Sequence, residues 1–214
     1  VCKWTGPISP IGRFMAGFVV SRPTNLSSLL EALRQSELVE PADLHALLTR
    51  RALPLEIDAA LDFLVQQRLL TPFHARHLRE GRIHGFILGD YRVLQPLGRG
   101  GMGLVYLAER RSDKQKVALK VLRTQLHRIP GARERFAREG RTTAALDHPN
   151  LVRTLEVRQQ GNTYFLVMEY VAGQSLNKRL ARTGRFPVDL AVTVIRQAAA
   201  GLQHAHERGV VHRD

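Results

Sequence analysis

Residues 97–120 read LGRGGMGLVYLAERRSDKQKVALK, and this stretch decides the fold. Gly98, Gly100 and Gly103 fall in the G-x-G-x-x-G spacing, with Val105 two residues later. Glycine at such points lets backbone amides approach phosphates with no Cβ in the way. By itself the spacing is weak: it also marks dinucleotide-binding folds, where it joins a strand directly to a helix, and a purely structural turn uses glycine too. Here Val105, Tyr106, Leu107 and Ala108 continue as a β-type run, so the glycines lie in a strand-to-strand hairpin. That topology suits a flap over a nucleotide. The next strand ends in Val117-Ala118-Leu119-Lys120. A lysine buried at the end of such a strand requires a negative partner, because an unpaired buried ammonium is costly. A nucleotide's phosphates would supply one, and a carboxylate on the following helix, Glu134 or Glu139, another.

Around this stretch, residues 91–97, 104–110 and 116–122 read as successive antiparallel strands, and 133–146 as a helix. Residues 151–157 and 163–171 form two more strands about a Gly161-Asn162 turn, and 187–208 a long helix stopped by Gly209. Five strands with one inserted helix, followed by a helical region, predict a two-lobe α+β arrangement.

Upstream the period changes. Leu26, Leu29, Leu30 and Leu33 share a helical face behind Asn25 as N-cap. A second helix begins at Pro41 with Leu44, Leu47 and Leu48 on one side, and a third spans about 55–70. Thr71-Pro72 starts a fourth, which Gly81 stops after Leu78. Residues 26–85 therefore read as a small all-α module, near the lower size limit for an independent core. His74 and His77 are three apart and share a face, but with no identifiable cysteine or carboxylate partner they, like His45 and His84, read as surface histidines. No metal site is expected.

Residues 1–25 read as an unstructured leader, with Gly6, Pro7, Pro10 and Gly12 and no amphipathic period. Met15, followed by Ala16 and Gly17, is an alternative start of translation. The apolar run from Phe14 to Val20 is too short to span a bilayer. The single cysteine, Cys2, excludes an internal disulfide framework and suits a cytoplasmic location, with a membrane anchor only if one exists downstream. The net charge of +13 would suit a polyanion. The arginines are spread along the chain without interleaved aromatics, so no nucleic-acid partner is expected, and a basic, nucleic-acid-binding leader is the lesser alternative.

The glycine hairpin, the VALK strand, a helix glutamate, a DHPNLV loop, a MEYV segment and a final His212-Arg213-Asp214 occur in the order found in protein kinases. Residues 91–214 resemble the N-terminal part of a bacterial eukaryotic-like serine/threonine kinase domain, and the helical leader is similar to the region preceding that domain in planctomycete members. The resemblance implies a kinase small lobe, a five-stranded antiparallel sheet plus one helix, and the start of the helical large lobe. It implies that Lys120 holds the ATP α and β phosphates and pairs with Glu139. Leu97, Gly98, Arg99, Gly100, Gly101, Met102, Gly103 and Leu104 would belong to the flap, with Val105, Ala118 and Met168 lining the adenine pocket. Backbone groups of Glu169 and Val171 would meet the adenine edge. Asp214 matches the residue that accepts or orients the proton of a protein substrate's hydroxyl. Both usual Mg²⁺ ligands would lie beyond Asp214, so the 214-residue chain reads as a truncated kinase with little activity of its own; the alternative is a non-catalytic nucleotide-binding or scaffold fragment. Two local departures stand out. Gly140 costs its helix about 0.5–1 kcal/mol relative to alanine, which predicts a looser Glu139 segment, and Gln174 follows Gly173 where a second glycine is common.

Overall fold

The structure, a computed structural model, describes residues 21–211 apart from 51, 102, 124, 125, 127 and 128. The expectations for the leader's first twenty residues, Met15 and Cys2 included, lie outside the described residues, as do those for Met102 and the final His212-Arg213-Asp214. Four helices, α1 (Leu26–Ser36), α2 (Pro41–Thr49), α3 (Ile57–Gln66) and α4 (Pro72–Arg79), precede strands β1 (Ile87–Leu88), β2 (Tyr91–Arg99), β3 (Gly103–Arg110) and β4 (Lys116–Leu122). Then come α5 (Ala132–Ala144), β5 (Thr154–Gln160), β6 (Thr163–Glu169), α6 (Leu176–Thr183) and α7 (Val188–Glu207). The sheet has six strands in the order β1-β2-β3-β4-β6-β5. The expected five are present, and the two-residue β1 is the addition, too short to show a period in sequence. Strand β5 begins three residues later than expected and runs on to Gln160, and α6 was not foreseen.

Contacts divide the chain into two compact units, one running up to Leu97 and taking in Tyr106–Lys116, the other made of Gly98–Val105 and the chain from Val117 onward. In the first, local chemistry sets the helices. Asn25 Oδ1 accepts from the Ser28 amide at 2.9 Å while Ser28 Oγ accepts from the Asn25 amide at 3.1 Å, a reciprocal cap on α1. Glu56 caps α3 through the Asp58 and Ala59 amides, which starts that helix two residues later than expected and leaves Leu55 outside it. Thr71 Oγ1 accepts from the His74 amide and donates to the Leu94 carbonyl at 2.8 Å, so the cap of α4 is also its tie to β2. Leu29, Leu33, Leu61, Leu64 and Leu78 are fully buried, each worth about 1.5–3 kcal/mol of transfer free energy.

The histidine expectation is corrected here. His74 and His77 are both buried. His74 Nδ1 accepts from the Thr71 amide at 3.2 Å, which leaves Nε2–H to donate to the Val93 carbonyl at 2.6 Å. Burial holds the His74 pKa down at about 4, with smaller contributions from neighbouring Arg92 and His77. His77 donates from Nδ1 to the Phe73 carbonyl and packs beside the Phe73 and Phe86 rings; its pKa too is lowered, first by burial. Arg92 adds a bond from Nη1 to the Leu38 carbonyl and a pair with Glu109 at 3.2 Å. The four helices share one compact unit with β1, most of β2 and the outer part of β3.

In the second unit, β6 lies between β4 and β5, antiparallel to both, with Ala118 opposite Met168 and Lys120 opposite Leu166. The β5–β6 turn carries Gly161 at φ +54°, which a side chain would resist. Phe136 of α5, fully buried, packs on Leu122 and Leu166 and fixes that helix to the sheet.

Candidate functional site

Lys120 occupies the one half-buried position between Leu119 and Val121, both fully buried. Strand alternation puts it on the face opposite to those two. One helical turn beyond Phe136, Glu139 is carried on the sheet-facing side of α5. Lys120 Nζ donates to Glu139 Oε1, and the pair keeps 20% and 33% side-chain exposure. The choice between Glu134 and Glu139 is thereby decided: Glu134 is exposed and Glu139 holds the lysine. An ammonium has three donors, so this contact leaves capacity for an anion.

Gly140, next to Glu139, also has a packing role that its helix propensity does not show. A Cβ there would sit 2.8 Å from Val157 Cγ2 and nearer still to Leu166 Cδ2, so the glycine lets α5 press against β5 and β6. A second tie lies one turn on, where the Thr143 and Thr154 hydroxyls meet at 2.9 Å, Thr154 being buried.

The glycine hairpin closes with the Gly100 amide donating to the Gly103 carbonyl at 2.9 Å. Gly103 is needed for packing, because a Cβ would lie 2.8 Å from the Val121 carbonyl oxygen and 3.2 Å from Lys120 Cγ. Gly98 and Gly101 have no such neighbour, a Cβ at either meeting nothing within 4 Å. Arg123, three residues past Lys120, reaches back and donates from Nη2 to the Gly100 carbonyl at 2.5 Å. Nothing in the sequence signals that bond, since an arginine after a strand reads as a solvated charge.

Among the other anticipated residues, Leu104, Val105 and Met168 are half-buried, Ala118 is buried, and Arg99 and Gly101 are exposed. Val117 is paired with Glu169 in the ladder, which brings the VALK strand beside the MEYV segment. The Glu169 carboxylate accepts from the Arg153 amide at 3.0 Å, leaving that side chain a structural task. Val171 is 65% exposed. Leu97, 36% exposed, ends the first unit.

A family model described as the protein kinase domain matches residues 91–214. The chain belongs to the protein kinase family. Its kinase segment is 46% identical over 126 residues to the serine/threonine-protein kinase pkn2 of Myxococcus xanthus, covering 59% of this chain and 15% of that protein. Against the serine/threonine-protein kinase PrkC of Bacillus subtilis (strain 168), identity is 36% over 128 residues, covering 60% of this chain and 20% of the relative. PknA of Mycobacterium tuberculosis is 38% identical over 138 residues, with 62% and 32% covered. The chain therefore spans between 15% and 32% of the length of these curated relatives. Among solved structures, the Mycobacterium tuberculosis PknI kinase domain matches with a TM-score of 0.51 and 31% identity, over 60% of this chain and 52% of that one. The kinase segment thus shares the α+β fold of a bacterial eukaryotic-like serine/threonine kinase. Among the described residues no helix is long and apolar enough to cross a membrane.

Proposed function

We propose that residues 91–214 are the ATP-binding part of a protein serine/threonine kinase domain, with residues 26–85 as its helical leader module. The observation that carries this reading is the Lys120–Glu139 pair, a partly open cation at the end of a buried strand whose carboxylate partner comes from a packed helix. In this role Lys120 neutralises the α and β phosphates while Glu139 holds the ammonium in place. The glycine pattern supports it: packing explains Gly103 but neither Gly98 nor Gly101, positions where approach by a phosphate does require a missing Cβ.

On the same reading, amides of residues 98–103 cover the phosphates. Val105, Ala118 and Met168 offer apolar surface to adenine, and backbone groups of Glu169 and Val171 meet its edge. Asp214 receives or orients the proton of a protein serine or threonine hydroxyl as that oxygen attacks the γ-phosphorus and ADP leaves. The family implies Mg²⁺ with ATP, and the ion would neutralise phosphate charge. Among the described residues no group of three His, Cys, Asp or Glu side chains is placed to hold a metal ion.

The test is calorimetric titration of the 214-residue protein with ATP. Wild type binds, and Lys120→Met lowers affinity by about a hundredfold, the scale of a lost charge-assisted contact to phosphate. A wild-type protein that is folded and takes up no ATP refutes the reading.

A further inference from the structure

The Arg123 guanidinium is half-buried, and its Nη2 donates to the carbonyl of Gly100 at the turn of the glycine hairpin. Its Nε is buried with no hydrogen-bond partner, and no carboxylate pairs with the side chain among the described residues. An arginine in this setting is costly: burial and the neighbouring Arg99 both lower its pKa, burial more. A surface arginine would swing into water. This one spends a charge-assisted hydrogen bond on one backbone oxygen, 23 residues back in sequence, in a hairpin whose turn also carries the Gly100–Gly103 backbone bond.

The geometric effect follows from peptide planarity. Fixing the Gly100 carbonyl toward Arg123 fixes the plane of the Gly100–Gly101 peptide, and in a trans peptide the Gly101 N–H then points the opposite way. The other arm of the hairpin is set by the close approach of Gly103 to the Val121 carbonyl and the Lys120 stem. Residues 120 and 123, a lysine and an arginine at the end of one strand, thus hold the two sides of the turn.

We infer that Arg123 is a positioning residue for the glycine flap, which orients the flap's amides toward a nucleoside polyphosphate without itself contacting the nucleotide. This rests on the ATP-binding reading above. Without the bond to Arg123, the Gly100–Gly101 peptide is free to rotate, and what suffers is phosphate recognition, not adenine recognition.

The experiment compares wild type, Arg123→Met and Arg123→Lys in the 214-residue protein by two measurements. Amide hydrogen exchange of residues 98–103 without nucleotide reads the tether: Arg123→Met raises exchange of the Gly100 amide several-fold, and Arg123→Lys recovers part of the protection. Calorimetric affinities for ATP and for adenosine read the consequence: Arg123→Met weakens ATP by about tenfold and leaves adenosine unchanged. Equal losses for the two ligands would mean general damage and overturn the inference, as would unchanged exchange together with unchanged ATP affinity. Wild type that binds neither ligand defeats the ATP-binding reading itself, a result distinct from wild type that binds ATP and an Arg123→Met protein that binds it equally well.

Discussion

Two places in this chain fasten a helix to a strand through a polar side chain, and they are built in opposite ways. At the α4–β2 joint, His74 is fully buried, neutral, and satisfied on both ring nitrogens by backbone groups. At the α5–β4 joint, Lys120 and Glu139 are charged and keep 20% and 33% exposure. The first has no hydrogen-bonding capacity left; the second has donors to spare. A polar group whose task is to hold the fold is cheapest when neutral and saturated, because burying an unmet donor costs about 1–3 kcal/mol. A group that must bind an anion cannot be saturated in advance, and it stays partly open so that its charge survives.

Acidification should break the contrast most sharply. His74 is held near pKa 4 when folded, against an ordinary value of 6.5, so between those pH values the unfolded chain binds the proton and the folded chain does not. Stability contributed at this joint is complete above pH 6.5 and falls as pH drops toward 4, by roughly 3 kcal/mol in all. His77, lowered in the same direction, adds to the loss. Hydrogen exchange at pH 7 and pH 4.5 should show the amides of α4 losing protection before those of α5; equal losses would contradict the assignment of His74 as a neutral structural group.

A smaller effect is expected at Gly140. Gly140→Ala forces a methyl group against Leu166 and Val157 and should cost roughly 1–3 kcal/mol in chemical denaturation, although alanine is the better helix former. Because Glu139 moves with the helix, ATP affinity should fall as well. A stabilised Gly140→Ala protein would show that helix propensity outweighs packing there.

Glu139→Gln should have the least effect on the fold. A pair this open is worth about 1 kcal/mol or less to stability, so the midpoint of unfolding should scarcely move while ATP binding weakens. A large loss of stability would mean that the open joint is structural after all.

The extent to which these joints were legible in sequence differs between them. Lys120 is legible from its strand, and Glu139 from the motif order, because a buried lysine demands an anion and the helix offers two candidates. The burial of His74 is not legible: in PFHARHLR the histidines alternate with arginines, and the course of β2, carrying the Val93 carbonyl back over α4, turns that face inward. At Gly140 the sequence shows only helix propensity, a local property, whereas its importance lies in the approach of Val157 and Leu166 from distant strands. Arg123 left no trace, since its acceptor is a backbone oxygen and every residue has one.

The sequence by itself determined the type and order of most elements, through caps such as Asn25 and Thr71, turns such as Gly161-Asn162, and the ordered glycine, lysine and glutamate of the kinase segment. These rest on interactions within a few residues, or on chemistry that only certain side chains can perform. The tertiary structure decided which helix carboxylate meets Lys120, that His74 and His77 are buried, and that the four leading helices share a compact unit with β2. Each of those depends on a backbone atom or surface brought up from far along the chain, and burial, unlike periodicity, is a property of the partner as much as of the residue.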